Sequence, residues 1–326
     1  MRRVIGLVLV GLGAFALVAA LMVRAVLAPS VVKLPLDQDS EPTAVAADLD
    51  WFDIGAGKQH TGELGSVNQT VTGDPGAAGA GDDVAVWSIG TVVLAEDGET
   101  VVNASDYRAC LDRTKAVAVA DCDSARGTEA FPDAPQGLTV TFPFDTQKKS
   151  YDVYNSTTGK TFPAEYVGTE QLEGLTVYRF EQKIPETVIQ TSEVPGPMAG
   201  APAGTTVSAD VVYSNTRTTW VEPTSGVVVT AEEHPDTYVQ AVDGGRGVTI
   251  LSADITAAED TLADQVDTAK DTRKQISTVK TVLPLVLLVV GVLALAGGLL
   301  LTRRRPAGAH RVTSTDETPE PVLQDR

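Results

Sequence analysis

The chain is short of the residues from which most reactive centres are built. It has two cysteines, three histidines, three methionines and three tryptophans among 326 residues, and only 5% of it is aromatic. His60, His234 and His310 lie far apart and no His-Glu-x-x-His pair is present, so a zinc hydrolase site has no ligands to draw on. A Gly-x-Ser-x-Gly elbow and a Gly-x-x-x-x-Gly-Lys phosphate loop are likewise missing. Carboxylates are plentiful, but among 43 of them close pairs arise by chance, and glycosidase chemistry needs two at a defined separation in space. The acidic run Asp48–Asp53 lacks the Gly turn and the converging oxygens of a calcium loop. No catalytic, cofactor-binding or metal-ligating residue is therefore assigned, no cofactor is expected, and the protein is expected not to be an enzyme.

Basic side chains are the second scarcity. The formal charge is −18. From Ser30 to Lys280 there are 39 acidic and 17 basic side chains, a net of −22, while the remainder carries 4 acidic and 8 basic, a net of +4. A surface that negative repels polyphosphates, which excludes nucleic acid as a partner of the central region and disfavours anionic headgroups there.

What the chain does have is two uncharged runs of twenty residues, Val4–Val23 and Val282–Leu301. Twenty residues of helix rise about 30 Å, the thickness of a bilayer's hydrocarbon core. No water is present at that depth to satisfy the backbone, so a helix is the expected conformation. The first run follows Arg2-Arg3 and resembles a signal peptide in its charged start. It is longer than a usual signal core, however, and Pro29 would follow the cut directly, so a retained anchor is expected. Basic residues flank both ends of both spans almost equally. The two leading arginines favour cytoplasmic termini and a large domain outside. Ala16 with Ala20 and Ala294 with Gly298 are small residues at four-residue spacing, a pattern that lets membrane helices approach closely, between the two spans or within a homo-oligomer.

Between the spans the hydrophobic period is mostly two. Val84–Tyr107 holds two β-branched runs around Asp97-Gly98, a hairpin signal. Strands are expected at 138–144, 150–154, 164–169, 175–184, 207–213, 217–221, 226–231 and 248–251, with turns at Glu173-Gly174 and 222–226. Pro29–Thr43 is expected to be extended, and Leu49, Trp51 and Ile54 to face a core. After Ile255, Leu262, Val266, Ala269, Ile276 and Val279 keep helical spacing, with acids at the start, bases at the end and a break at Arg273. The expected fold is mainly β: one antiparallel domain, sandwich or barrel-like and outside the cytoplasm, between N- and C-terminal transmembrane helices, with a juxtamembrane amphipathic helix. The boundaries are 1–3 cytoplasmic, 4–23 first span, 24–255 domain, 256–281 juxtamembrane helix, 282–301 second span, and 302–326 a disordered cytoplasmic tail too polar to offset its ordering entropy.

Cys110 and Cys122 are expected to form a disulfide in an oxidising compartment, closing a short loop with about 2–3 kcal/mol of stabilisation. The aromatics fall in predicted strands, where they either pack a core or line a cavity for an apolar ligand such as an acyl chain.

Three stretches, Phe142–Tyr151 (FPFDTQKKSY), Pro163–Phe180 (PAEYVGTEQLEGLTVYRF) and Tyr213–Val229 (YSNTRTTWVEPTSGVVV), resemble an actinobacterial family of two-anchor envelope proteins labelled PorA-type porins. The resemblance extends over about Val4–Leu301 and implies an integral protein of the cell envelope, with no catalytic residues to carry over. Short acidic strands do not suit a lipid-facing barrel, which needs strands of about ten residues with apolar outer faces. Two functions are therefore expected. The first is a non-enzymatic, membrane-anchored envelope protein that binds or passes lipid or another apolar molecule, or scaffolds envelope assembly with protein partners. The second is a pore.

Overall fold

The computed structural model describes residues 1–120 and 135–303, together with the backbone of 125–126 and 129–130. The helices are α1 (Arg2–Met22), α2 (Ala28–Val31), α3 (Glu259–Ser277) and α4 (Leu283–Thr302), with π-type turns at Val23–Leu27 and Thr278–Val282. The strands are β1 (Asp39–Ser40), β2 (Thr43–Asp53), β3 (Lys58–Gly73), β4 (Val84–Leu94), β5 (Val101–Asp112), β6 (Ala125–Arg126), β7 (Glu129–Ala130) and β8 (Tyr151–Asn155), followed by β9 (Lys160–Leu172), β10 (Leu175–Pro195), β11 (Thr206–Val221), β12 (Val228–Glu233), β13 (Asp236–Gln240) and β14 (Arg246–Ala257). The protein is mainly antiparallel β, flanked by two terminal apolar helices long enough to cross a membrane. It divides into two compact units, Met1–Met22 with the residues from Pro284 onward, and Val23–Leu283.

In the helical unit, α1 and α4 run antiparallel with their backbones in contact. A Cβ added to Gly13 would lie 2.7 Å from the Leu295 nitrogen and 2.8 Å from the Gly291 oxygen, and one added to Gly298 would lie 2.7 Å from the Gly6 oxygen. Gly6 thus faces Gly298, and Gly13 faces Gly291. Seven residues separate the members on each helix, so the glycines form one stripe, and the same register sets buried Ala20 opposite buried Pro284. Ala16 and Gly298 are also buried, and Ala294 is half-buried. With lipid tails as apolar as Leu, such close approach holds helices by dispersion rather than by the hydrophobic effect.

In the larger unit the described strands form one sheet in the order β7-β6-β5-β4-β3-β2-β14-β12-β11-β10-β9-β8, with β1 on β3 and β13 across β11 and β14. The sheet also closes on itself. Beyond β5, Leu111 bridges Ala118, Val117 bridges Leu138, and Leu138 bridges Val153 of β8. The closing hydrogen bonds are Val119 N to Cys110 O at 2.9 Å, Leu138 N to Asp152 O at 2.8 Å and Tyr154 N to Leu138 O at 2.8 Å. Closure removes edges that would otherwise present unpaired backbone. The inside holds Trp87, Ile89, Ala109, Leu111, Leu138, Phe142, Phe180 and Val221.

On the outer face, α3 lays Val266, Ala269 and Leu262 against Leu175, Val177, Val229 and Trp220. Its first turn is tied to the sheet where Thr43 N donates to Thr261 Oγ1 at 2.8 Å. The far halves of β10 and β11 leave the closed body and pack with β13, β14 and the 3-10 turn Gly196–Ala199 around Val194, Met198, Ala199 and Val239.

Several expectations are corrected. Helix continues to Val31 rather than ending before Pro29, and the π-type turn Val23–Leu27 directly precedes the proline's segment. Arg273 does not break α3, and the irregular turn comes later, at Thr278–Val282. Residues 207–213 and 217–221 are one strand, β11. Residues 138–144 contribute only the bridge at Leu138. Leu49 and Trp51 are buried, whereas Ile54 is 72% exposed, because the chain turns after Asp53. The tail expected from 302 lies beyond the described residues from 304 onward.

Replacing Gly13 by Leu forces the two helix backbones apart. It should destabilise the helical unit by about 1–3 kcal/mol, the usual range for an overpacked interface. Gly11→Leu, which meets nothing within 4 Å, should be neutral. Unfolding of both variants in a mixed-detergent titration reads the difference, and equal midpoints would refute the glycine contact.

Candidate functional site

Successive residues of a strand point to opposite sides, so on β11 Tyr213, Asn215, Arg217, Thr219 and Val221 share the inner face of the closed body. Their partners on β10 are Ile184 for Asn215, Gln182 for Arg217, Phe180 for Thr219 and Tyr178 for Val221. One end of this interior is apolar and aromatic. Fully buried Phe180 stacks on Phe142 with centroids 4.7 Å apart and meets Tyr151 and Tyr166 edge-on at 5.8 and 5.9 Å.

The other end is polar. Gln182 Nε2 donates to the carbonyls of Val153 (2.9 Å) and Phe162 (3.2 Å), which satisfies a buried amide. Arg217 Nε lies 3.1 Å from Glu233 Oε1 without its N–H being aimed at it, and Asn215 Nδ2 donates to the other Glu233 oxygen at 2.9 Å. The rings of Tyr107 and Tyr154 stand 6.3 Å apart. Burial holds the Tyr107 phenol well above the ordinary tyrosine value against the opposing pull of Arg217, and burial together with Glu233 raises Tyr213. Between the two ends, a pocket lined by Leu138, Thr139, Phe142, Gln182, Arg217 and Thr219 measures about 20 Å³, room for a water molecule and far too little for an acyl chain. Among the described residues no three His, Cys, Asp or Glu side chains are grouped to hold a metal ion.

At the aromatic end, the loop after Phe142 is fastened to the turn Glu222–Gly226. Phe142 N donates to Gly226 O at 3.0 Å, Asp145 N to Thr224 O at 3.2 Å and Thr146 N to Pro223 O at 2.7 Å. Gly226 has φ 75°, and a Cβ there would lie 2.1 Å from Phe142 O, so the contact requires glycine. Glu222, almost wholly buried, fixes the turn by accepting from Ser225 N (2.8 Å) and Ser225 Oγ (2.7 Å).

Asp145 sits at φ 56° and carries its carboxylate 2.5 Å from Lys280 Nζ. Next along the loop, Lys148 Nζ lies 5.1 Å from the Tyr178 ring centre and 5.8 Å from that of Tyr166, and Lys149 Nζ lies 5.1 Å from Tyr151. Arg24 Nη1 completes the neck, donating to Lys280 O at 2.8 Å. That carbonyl is the one whose usual i+4 donor would be residue 284, a proline without an N–H.

Phe142–Tyr151, Pro163–Phe180 and the later part of Tyr213–Val229, scattered in sequence, therefore meet at the aromatic end, while Tyr213 to Arg217 run on to the polar end. A family model described as Porin PorA matches residues 5–300. The chain belongs to that family. A protein of Corynebacterium amycolatum named Porin PorA is 26% identical over 272 residues, covering 67% of this chain and 70% of its own. A Corynebacterium resistens protein of the same name is 25% identical over 290 residues, covering 66% and 70%. Membership and the two apolar helices make this a membrane or envelope protein.

Of the two cysteines, Cys110 is fully buried on β5 opposite Val86, and Cys122 lies outside the described residues. The inward Arg217–Glu233 pair and the ring-held lysines were not foreseen from the sequence.

An unfolded chain releases a tyrosine proton near pH 10, while the folded protein holds the Tyr107 proton to higher pH. Stability is therefore complete below about pH 10 and falls as pH rises beyond it, by up to about 1.4 kcal/mol per pH unit for one such group. Tyr107→Phe should make that decline shallower in melts recorded across alkaline pH, and an unchanged slope would remove Tyr107 from the account.

Proposed function

We propose that the protein forms a membrane pore as an assembly of several copies. The observation that carries this reading is the family match over 5–300, together with two curated relatives that bear the name porin. The strand interior is filled by aromatic and aliphatic side chains around a pocket of about 20 Å³, so the path lies between copies and not through the body of one. The same filled interior speaks against carriage of an acyl chain inside the domain. In this reading both termini are cytoplasmic, residues 24–255 stand outside, and the homo-oligomer is the principal partner. The protein is no enzyme. Its acidic domains gather cations at the pore mouth, because a surface of one sign concentrates counter-ions.

The full-length protein, reconstituted in a planar bilayer, should give stepwise conductance with cations preferred over anions. A bilayer no more conductive than the detergent control would overturn the reading. We also propose that Cys110 is bridged to Cys122, as an oxidising location requires. Denatured but unreduced protein should then take up no thiol-specific label and should take up two equivalents after reduction. Two equivalents before reduction would place the domain in a reducing compartment.

A further inference from the structure

We propose that the neck of the β domain binds the phosphate of anionic lipid headgroups through Arg24, Lys148, Lys149 and Lys280. The central region is net −22, yet the fold carries two lysines from mid-sequence to the place where the chain emerges from its apolar helices. Arg24 follows the first uncharged run directly, and Lys280 precedes the second by one residue. Asp145 holds the loop to Lys280, so Lys148 and Lys149, three and four residues further on, lie within a short chain length of that neck. Tyr178, beneath Lys148, pairs with Val221, the residue just before the turn that fastens the loop.

Both lysines are exposed, and neither makes an ion pair among the described residues. Each ammonium rests over a half-buried tyrosine ring, which offsets part of its desolvation while leaving N–H donors free for an anion. Lysines and tyrosines at the headgroup level are the combination that membrane interfaces favour. Of the acids near this end, Asp145 is bound to Lys280, Glu222 is buried and bonded to Ser225, Glu170 is paired with Arg179, and exposed Glu173 lies in the turn between β9 and β10. An isolated phosphate group offers the same chemistry, but the position at the ends of two membrane-length helices favours the lipid.

The test uses full-length protein in lipid vesicles and electron spin resonance of spin-labelled phosphatidylglycerol against spin-labelled phosphatidylcholine. Wild type should prefer the anionic lipid. Lys148→Ala with Lys149→Ala should cut that preference by at least about threefold, and added salt should weaken it. Charge-conserving Lys148→Arg with Lys149→Arg should retain the preference. Lys160→Ala, at the start of β9 opposite Asn155 and so at the other end of β8, should leave it unchanged. Equal association of the two lipids, or full preference in the double-alanine variant, would overturn the proposal. Displacement of the labelled lipid by millimolar inorganic phosphate would also overturn it, by reassigning the site to the free ion.

Discussion

The backbone bridge at Leu138 turns a meandering sheet into a closed body. Leu138 gives its N–H to Asp152, takes one from Tyr154, and pairs with Val117 on its other side, so one residue joins β8 to the segment that pairs with the end of β5. Without it β8 would be an open edge, and the inner faces of β4, β5, β10 and β11 would have no common interior. Gly137 makes the approach feasible, since its φ of 77° and the 2.3 Å between a built Cβ and the Asp152 oxygen leave no space for a side chain. Closure then lets a polar cluster exist inside. Arg217 and Glu233, both half-buried, face one another there, and Asn215 donates to the other carboxylate oxygen.

Charge is sorted by the fold and not only by the sequence. Counted along the chain, the central region is uniformly acidic, which argues against any contact with anionic headgroups. Folding places Lys148 and Lys149 on tyrosine rings, in the loop that Asp145 ties to Lys280. A net charge counted along the chain therefore does not exclude a local cationic contact of the kind proposed. Averaged charge predicts long-range steering, whereas a local contact depends on what lies within a Debye length, about 8 Å at physiological salt.

Much of the architecture was legible because its causes are local. Two uncharged runs, Asp97-Gly98 and Glu173-Gly174 between β-branched segments, and the 3.6-residue spacing of Val266 and Ala269 each act over a few residues. What was missed depends on partners distant in sequence. β3 (KQHTGELGSVNQTVTG) has almost no apolar alternation, since much of it is exposed and its order comes from ladders to β2 and β4. The small-residue pairs at four-residue spacing were visible, but the seven-residue glycine stripe that sets the register of α1 on α4 shows only when both helices are laid side by side. Arg217 looked like any strand residue until its register against Gln182 and Glu233 turned it inward.

The filled interior also limits what a family name can mean here. In a strand barrel that conducts, inward residues are polar along the whole lumen and leave a continuous water column. Here the inward residues change from Tyr213, Asn215 and Arg217 to Phe180, Phe142 and Val221 within a few positions, and those aromatics touch ring to ring. An ion entering at the polar end would have to shed its hydration against Phe142 and Phe180, at an energy no side chain there could return. Any conduction therefore belongs to surfaces that a single chain exposes. The candidates are the apolar helix pair, which packs through glycine on one face and leaves Leu7, Phe15, Leu288 and Leu293 exposed on others, and the acidic domain.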